Sequence, residues 1–169
     1  DLKNTKTFSS DKKREFAPKY GDSLLYEHHT TSLVFNDPPA HTRVRRLIMG
    51  ALSPRAIAAM EPDLVRLVDS LLDRMAAQGS AELIEDFASA IPVEVIGNLL
   101  DVPHEERGPL RDWSLAILGA LEPVIGAEVF ARGNEAVKDF LAYLETLVER
   151  RRASPGDPSH DVLTRLIQG

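Results

Sequence analysis

The stretch DPPAHTRVRRLIMGALSPR, Asp37 to Arg55, is a turn that feeds a helix. It carries His41 with Arg43, Arg45, Arg46 and Arg55, and no acid falls between Pro38 and Met60. The chain as a whole has a formal net charge of -6, so this is a local reversal of sign, of the kind that holds an anion or meets an acidic partner. Asp37 suits an N-cap and Pro38 the first helical position, which predicts a helix from there to about Leu52. Advancing about 100° per residue, Val44, Leu47, Ile48 and Ala51 gather on one face, which is expected to be buried. His41 and Arg45 lie one turn apart at the edge of that face, while Arg43 and Arg46 lie opposite. A cation at the edge of a buried face reaches inward to an anionic group, whereas one on the far face meets solvent or another protein. For Arg43 and Arg46 a plain solvated surface is the default.

A chain of 169 residues, 43% of them hydrophobic, is long enough for one domain with a real core. It opens on Asp1 without an initiator Met and stops at Gly169 within an amphipathic run, so both ends read as cut from something longer. No window reaches the length of a membrane span and no signal-peptide pattern is present, which predicts a soluble, cytoplasmic protein. There are no cysteines, so neither a disulfide nor a thiolate ligand or nucleophile comes from these residues.

Residues 1 to 36 show no sustained period, and Pro18 and Gly21 punctuate them, so this region reads as a long loop with one short helix at most. Near its end stand His28 and His29, followed by Leu33-Val34-Phe35. The histidine pair invites a metal, but no acid or cysteine sits at ligand spacing, and a solvated or ligand-lining pair is the favoured reading. Beyond the basic helix, Leu64, Val68, Leu71, Leu72 and Met75 predict a core helix closed by Gly79. Glu82-Leu83-Ile84 is compatible with one short strand. Phe87, Ile91, Val95 and Leu99 predict a helix, and the next, starting near His104, carries Leu110, Trp113, Ile117 and Leu121. From about Ala127 the longest amphipathic helix ends in Arg150-Arg151-Arg152, which complements the negative end of its dipole. A Pro/Gly loop and a last helix with Val162, Leu163, Leu166 and Ile167 follow. The fold class is mainly α. No phosphate-binding glycine loop, Gly-x-Ser-x-Gly elbow or His-Glu-x-x-His helix occurs, so the residues nominate one binding site and no catalyst.

At Asp37-Pro38-Pro39-Ala40-His41-Thr42-Arg43-Val44-Arg45-Arg46 the sequence resembles the C-helix motif of bacterial cytochrome P-450 proteins, the heme-thiolate monooxygenases. Other features agree in order: Phe8-Ser-Ser-Asp11, Leu52-Ser53-Pro54-Arg55, Leu100-Asp101-Val102-Pro103 before the Trp113 helix, then Pro155-Gly156-Asp157 and Asp161-Val162-Leu163. The resemblance covers essentially the whole chain. It implies the helical portion of the P-450 fold, from a loop-rich B-C region at 1–36 through helices C to about H at 37–169, as one segment of a larger domain. It implies that His41 and Arg45 bind a propionate of heme b, and that Arg43 and Arg46 face a ferredoxin-type electron donor. It also implies that His29, Leu33 and Val34 line the pocket of a small organic substrate, with the Trp113 helix and the one after it resembling the mobile F and G helices. The family's cysteine ligand, its oxygen-activating helix and its Glu-x-x-Arg pair are not among these residues.

Two readings therefore stand. In the first, the chain is a piece of a heme monooxygenase that by itself binds heme weakly or not at all and is inactive. In the second, it is a catalytically dead helical module whose exposed apolar faces drive self-association, with exchange of helices. A nucleic-acid partner is disfavoured, because the acids elsewhere in the chain oppose phosphate binding and no aromatic residues interleave with the arginines.

Overall fold

A computed structural model of the chain describes residues 4, 7–158 and 161–168. The described residues are helical and include no strand. The α-helices are α1 (Lys13–Tyr20), α2 (Leu24–Thr31), α3 (Ala40–Ala51), α4 (Pro54–Ala59), α5 (Glu61–Gln78), α6 (Ala90–Leu99), α7 (Gly108–Gly119), α8 (Ala127–Ala153) and α9 (Val162–Gln168). Short 3-10 turns cover Leu33–Phe35 and His104–Glu106, and a π-helix covers Leu83–Ala88. The chain divides into two compact units, Asp1–Met49 with Asp112–Glu145, and Gly50–Arg111 with Thr146–Gly169.

In the first unit Phe16 and Tyr20, one turn apart on α1, enter a core with Leu25, Ala116, Ile117, Ala120, Ala136 and Val137. Gly21, at a φ of 57°, ends α1, and its N–H bonds to the Ala17 carbonyl. Ser23 then caps α2 by accepting from the Tyr26 N–H. Polar ties fix these helices to α7 and α8: the Tyr20 hydroxyl donates to the Ala120 carbonyl at 2.7 Å, and the Leu25 N–H to the Asn134 side chain at 3.0 Å. Gly133 makes the close approach of α8 feasible, because a Cβ there would stand 3.0 Å from a methyl of Leu25 and 3.2 Å from Ala120. Trp113 packs against Phe140 and Tyr143.

The expected loop before Asp37 is thus replaced by two eight-residue helices, each closed by its own cap. His29 is 2% exposed, so it is not a solvated histidine. It packs among Phe16, Tyr20 and Phe35, with its Nδ1 3.4 Å from that of His28 and its Nε2 without a partner among the described residues. Burial, then the neighbouring His28 and Lys19, pushes its pKa down to about 4, and burial lowers that of His28 too.

In the second unit, Glu82-Leu83-Ile84 does not form a strand. Asp86 accepts from the Glu82 N–H and Glu82 from the Glu85 N–H, and these local bonds wind the segment into the π-helix. On α5 only Leu71 of the predicted core stripe is buried, while Leu64 and Leu72 are exposed. The tightest polar cluster centres on Arg151. Its guanidinium, 11% exposed, donates to the Asp101 carboxylate at 2.7 Å, the Asp101 carbonyl at 3.0 Å and the Asp161 carboxylate at 2.8 Å. Asp161, 6% exposed, also accepts from the Leu163 N–H and the Thr164 hydroxyl and so caps α9. Gly156 leaves room for this cluster, since a Cβ there would lie 2.6 Å from an Asp161 carboxylate oxygen. Arg150 meanwhile grips Glu106 through both terminal nitrogens at 2.7 Å. Two of the three arginines at the end of α8 therefore serve named acids as well as the helix dipole.

Removing the Arg151 side chain leaves Asp161 buried without its cation, and Arg151→Ala should lower stability by about 3 kcal/mol, read from urea unfolding by circular dichroism. A loss under about 1 kcal/mol would contradict the cluster's role. For His29 the unfolded chain takes up a proton near pH 6.5 and the folded one only near 4, so its contribution is complete above the upper value and is lost as pH falls between them. The loss amounts to about 3 kcal/mol. His29→Phe should flatten the pH dependence of unfolding in that window, followed by fluorescence of the single tryptophan, Trp113. An unchanged slope would show that His29 does not titrate this way.

Candidate functional site

Alanine, leucine, methionine and arginine favour the helix at Ala40–Ala51. It begins later than the sequence predicts. The first backbone bonds run from the His41 N–H to the Asp37 carbonyl and from the Arg43 N–H to the Pro39 carbonyl, each 3.1 Å. Pro38 and Pro39, joined by a cis peptide bond, precede the helix instead of opening it. Asp37 does not cap α3 with its side chain. Its carboxylate accepts the Ser9 hydroxyl at 2.5 Å and the Ser10 N–H at 2.8 Å, and these two bonds, Ser9's first, hold its pKa below the usual value.

His41 is half-buried, and Arg43, Arg45 and Arg46 are exposed. Among the described residues none of the three arginines meets an acid, in contrast to Arg107, Arg111, Arg150 and Arg151, while His41 lies near enough to the Asp37 carboxylate to help lower its pKa. The face expected to be buried is largely open: Val44 and Ile48 are half-buried and Leu47 is 45% exposed, while the Ala51 side chain lies outside the described residues. The expected burial of this face is therefore only partial, since nothing among the described residues covers it fully.

The other sequence candidates also lie in the first unit. His29 is enclosed by rings, Leu33 is half-buried and Val34, 69% exposed, lies on the 3-10 turn. Among the described residues no cluster of histidine and acidic side chains could hold a metal ion, and no helix is long and apolar enough to cross a membrane. A shallow cleft of about 280 Å³ in the second unit is lined by Asp101, Pro103, Leu147, Arg150, Arg151 and Ser154. Its two arginines are neutralised by Glu106, Asp101 and Asp161, so it has no cation to offer a ligand. Among the described residues α3 carries open cations beside open apolar side chains, as α5 does with Arg74 and Leu72.

No family model matches the chain. Individual proteins do. It is 31% identical over 172 residues to cytochrome P-450 CYP107DY1 of Priestia megaterium, covering 99% of the chain and 40% of that protein. It is 30% identical over 159 residues to cytochrome P-450 107B1 of Saccharopolyspora erythraea, covering 94% of the chain and 35% of that protein. The crystal structure of CalO2 superposes with a TM-score of 0.90 at 28% identity, over 99% of the chain and 41% of that structure. The chain is a segment of the cytochrome P-450 fold. It spans about two fifths of the length of the relatives it matches. The match covers 99% of the chain, so it includes the stretch from Asp37 to Arg46 with its exposed arginines.

Proposed function

We propose that the chain supplies the carboxylate-binding helix and the mobile helical layer of a bacterial heme monooxygenase. The observation that carries this is α3, where His41 and Arg45 stand one turn apart, Arg45 with no ion-pair partner among the described residues, beside a face of Val44, Leu47 and Ile48 that is incompletely covered. Those residues fit one edge of a heme: two cations for a propionate and an apolar flank for the ring. When bound, heme in such enzymes supplies the chemistry that inserts one atom of dioxygen into a small organic substrate. His41 and Arg45 orient the group through its carboxylate and neutralise it. Arg43 and Arg46, on the exposed side, present charge to an acidic electron donor of the ferredoxin type. α7 and α8 form the layer that covers substrate, and His29, Leu33 and Val34 contribute from the segment before α3. An axial thiolate has to come from outside these residues, since the chain has no cysteine. By itself the chain therefore binds heme weakly and does not turn over.

The carboxylate role separates from general ring binding by titrating the chain with hemin and with hemin dimethyl ester, whose propionates carry no charge. Wild type should favour hemin by roughly tenfold, and His41→Ala with Arg45→Ala should abolish the preference. Equal binding of the two compounds by wild type would refute the assignment.

A second reading is favoured by one observation, the large apolar side chains left exposed on α5 and α7, including Val65, Leu72, Leu115 and Leu118. Surfaces of this kind promote self-association, so the chain should sediment as an oligomer at high concentration. A monomer throughout the range would leave the heme reading alone.

A further inference from the structure

Asp37 uses both of its acceptor groups at once. Its carboxylate takes the Ser9 hydroxyl and the Ser10 N–H, 28 and 27 residues earlier, and its carbonyl takes the His41 N–H in the first turn of the basic helix. The connection continues toward α1. The Ser9 hydroxyl oxygen accepts the Asp11 N–H at 3.1 Å, and the Asp11 carboxylate accepts the Lys13 N–H at 2.8 Å at the start of that helix. One residue thus ties the segment before α1 to the turn that carries His41. Both donors favour the ionised carboxylate, and their loss on neutralisation would free the Ser9–Ser10 segment from α3. An amide at this position offers a single carbonyl oxygen in place of two carboxylate oxygens, so it cannot accept both donors in the same geometry.

We propose that Asp37 is a positioning residue for the anion site: through the Ser9–Ser10 latch it sets the register and side-chain placement of His41 on the first turn of α3. This rests on the reading of His41 and Arg45 as a carboxylate-binding pair. Asp37 does not touch the carboxylate itself, and it acts by fixing the backbone from which His41 projects. The ion it makes is satisfied locally by two donors, so the acid lies next to a basic helix without pairing with the arginines.

The test uses the full chain and does not require that heme bind. Diethyl pyrocarbonate modifies histidine side chains, and peptide mass spectrometry reads His41 against His104, whose side chain is 81% exposed and serves as an internal reference. Asp37→Asn should change the His41 rate relative to His104 by roughly threefold or more, and should lower exchange protection at the Ser10 and His41 amides by roughly tenfold. Ser9→Ala should shift both readouts in the same direction by less, and the double variant should match Asp37→Asn, because the two side chains form one latch. Ser9→Ala also decides the matter should Asp37→Asn fail to fold. Unchanged His41 reactivity in the folded variants overturns the proposal, and so does an equal rise at His41 and His104, which would mark general loosening. In the hemin and ester titrations, a preserved preference in wild type with unchanged His41 reactivity in Asp37→Asn rejects the positioning role alone. Absence of that preference in wild type rejects the carboxylate reading, while the footprint still judges the hold of Asp37 on α3.

Discussion

Two donors from Ser9 and Ser10 converge on the Asp37 carboxylate while its carbonyl takes the His41 N–H in the first turn of α3, so a single residue joins the leading segment to the start of the basic helix. This matters because α3 has little else to hold its first turn. It has no acid there to complement the dipole, and its preceding residues are two prolines that bring no N–H. A helix start with so few local supports depends on a long-range tie. The tie is charge-assisted, short and shared between two donors, which is the strong form of such a contact.

The arginines of the chain divide by whether the fold provides them with an acid. Arg151 is buried between Asp101 and Asp161, Arg150 is forked onto Glu106, and Arg107 bonds Glu94 and the Val102 carbonyl. Those cations join residues 5 to 50 positions apart and hold the second unit together. Along α3 the opposite holds: Arg43 and Arg46 are like-charged neighbours at one-turn spacing, which costs a few tenths of a kcal/mol. A helix that keeps such repulsion and leaves its apolar face partly open is locally inconsistent. Inconsistency of that kind is characteristic of sites that are completed by something other than the surrounding fold.

Much of the fold was legible because it rests on period. The 3.6-residue repeat located α5, α6, α7 and α8, and proline and glycine marked ends, as Pro62 and Gly79 do for α5. The misses have physical reasons. α1 and α2 are each two turns long, too short to show a repeat, and Pro18 inside α1 mimics a break. Leu83 and Ile84 have strand-like propensity, but Glu82 and Asp86 supply side-chain acceptors that reward a wound backbone. Asp37 has the composition of an N-cap, and only the folded chain brings Ser9 and Ser10 to it. Similarly, Arg151 reads as a dipole complement until Asp101, 50 residues earlier, arrives beside it.

Spacing alone put His41 and Arg45 at one edge of an apolar face and Arg43 and Arg46 away from it; the helix forms, with His41 half-buried and all three arginines exposed. Spacing could not tell whether the face would be covered, because amphipathicity states which side prefers burial and is silent on the partner. The same limit applies to His29. Its neighbours Phe16, Tyr20 and Phe35 come from α1 and the 3-10 turn, so its enclosure is a property of three segments meeting and of no local pattern. A buried neutral histidine and an open cationic helix thus arise from residue types that look alike in sequence. What separates them is desolvation: the rings around His29 expel charge, while the open edge of α3 leaves its cations hydrated and available to a carboxylate.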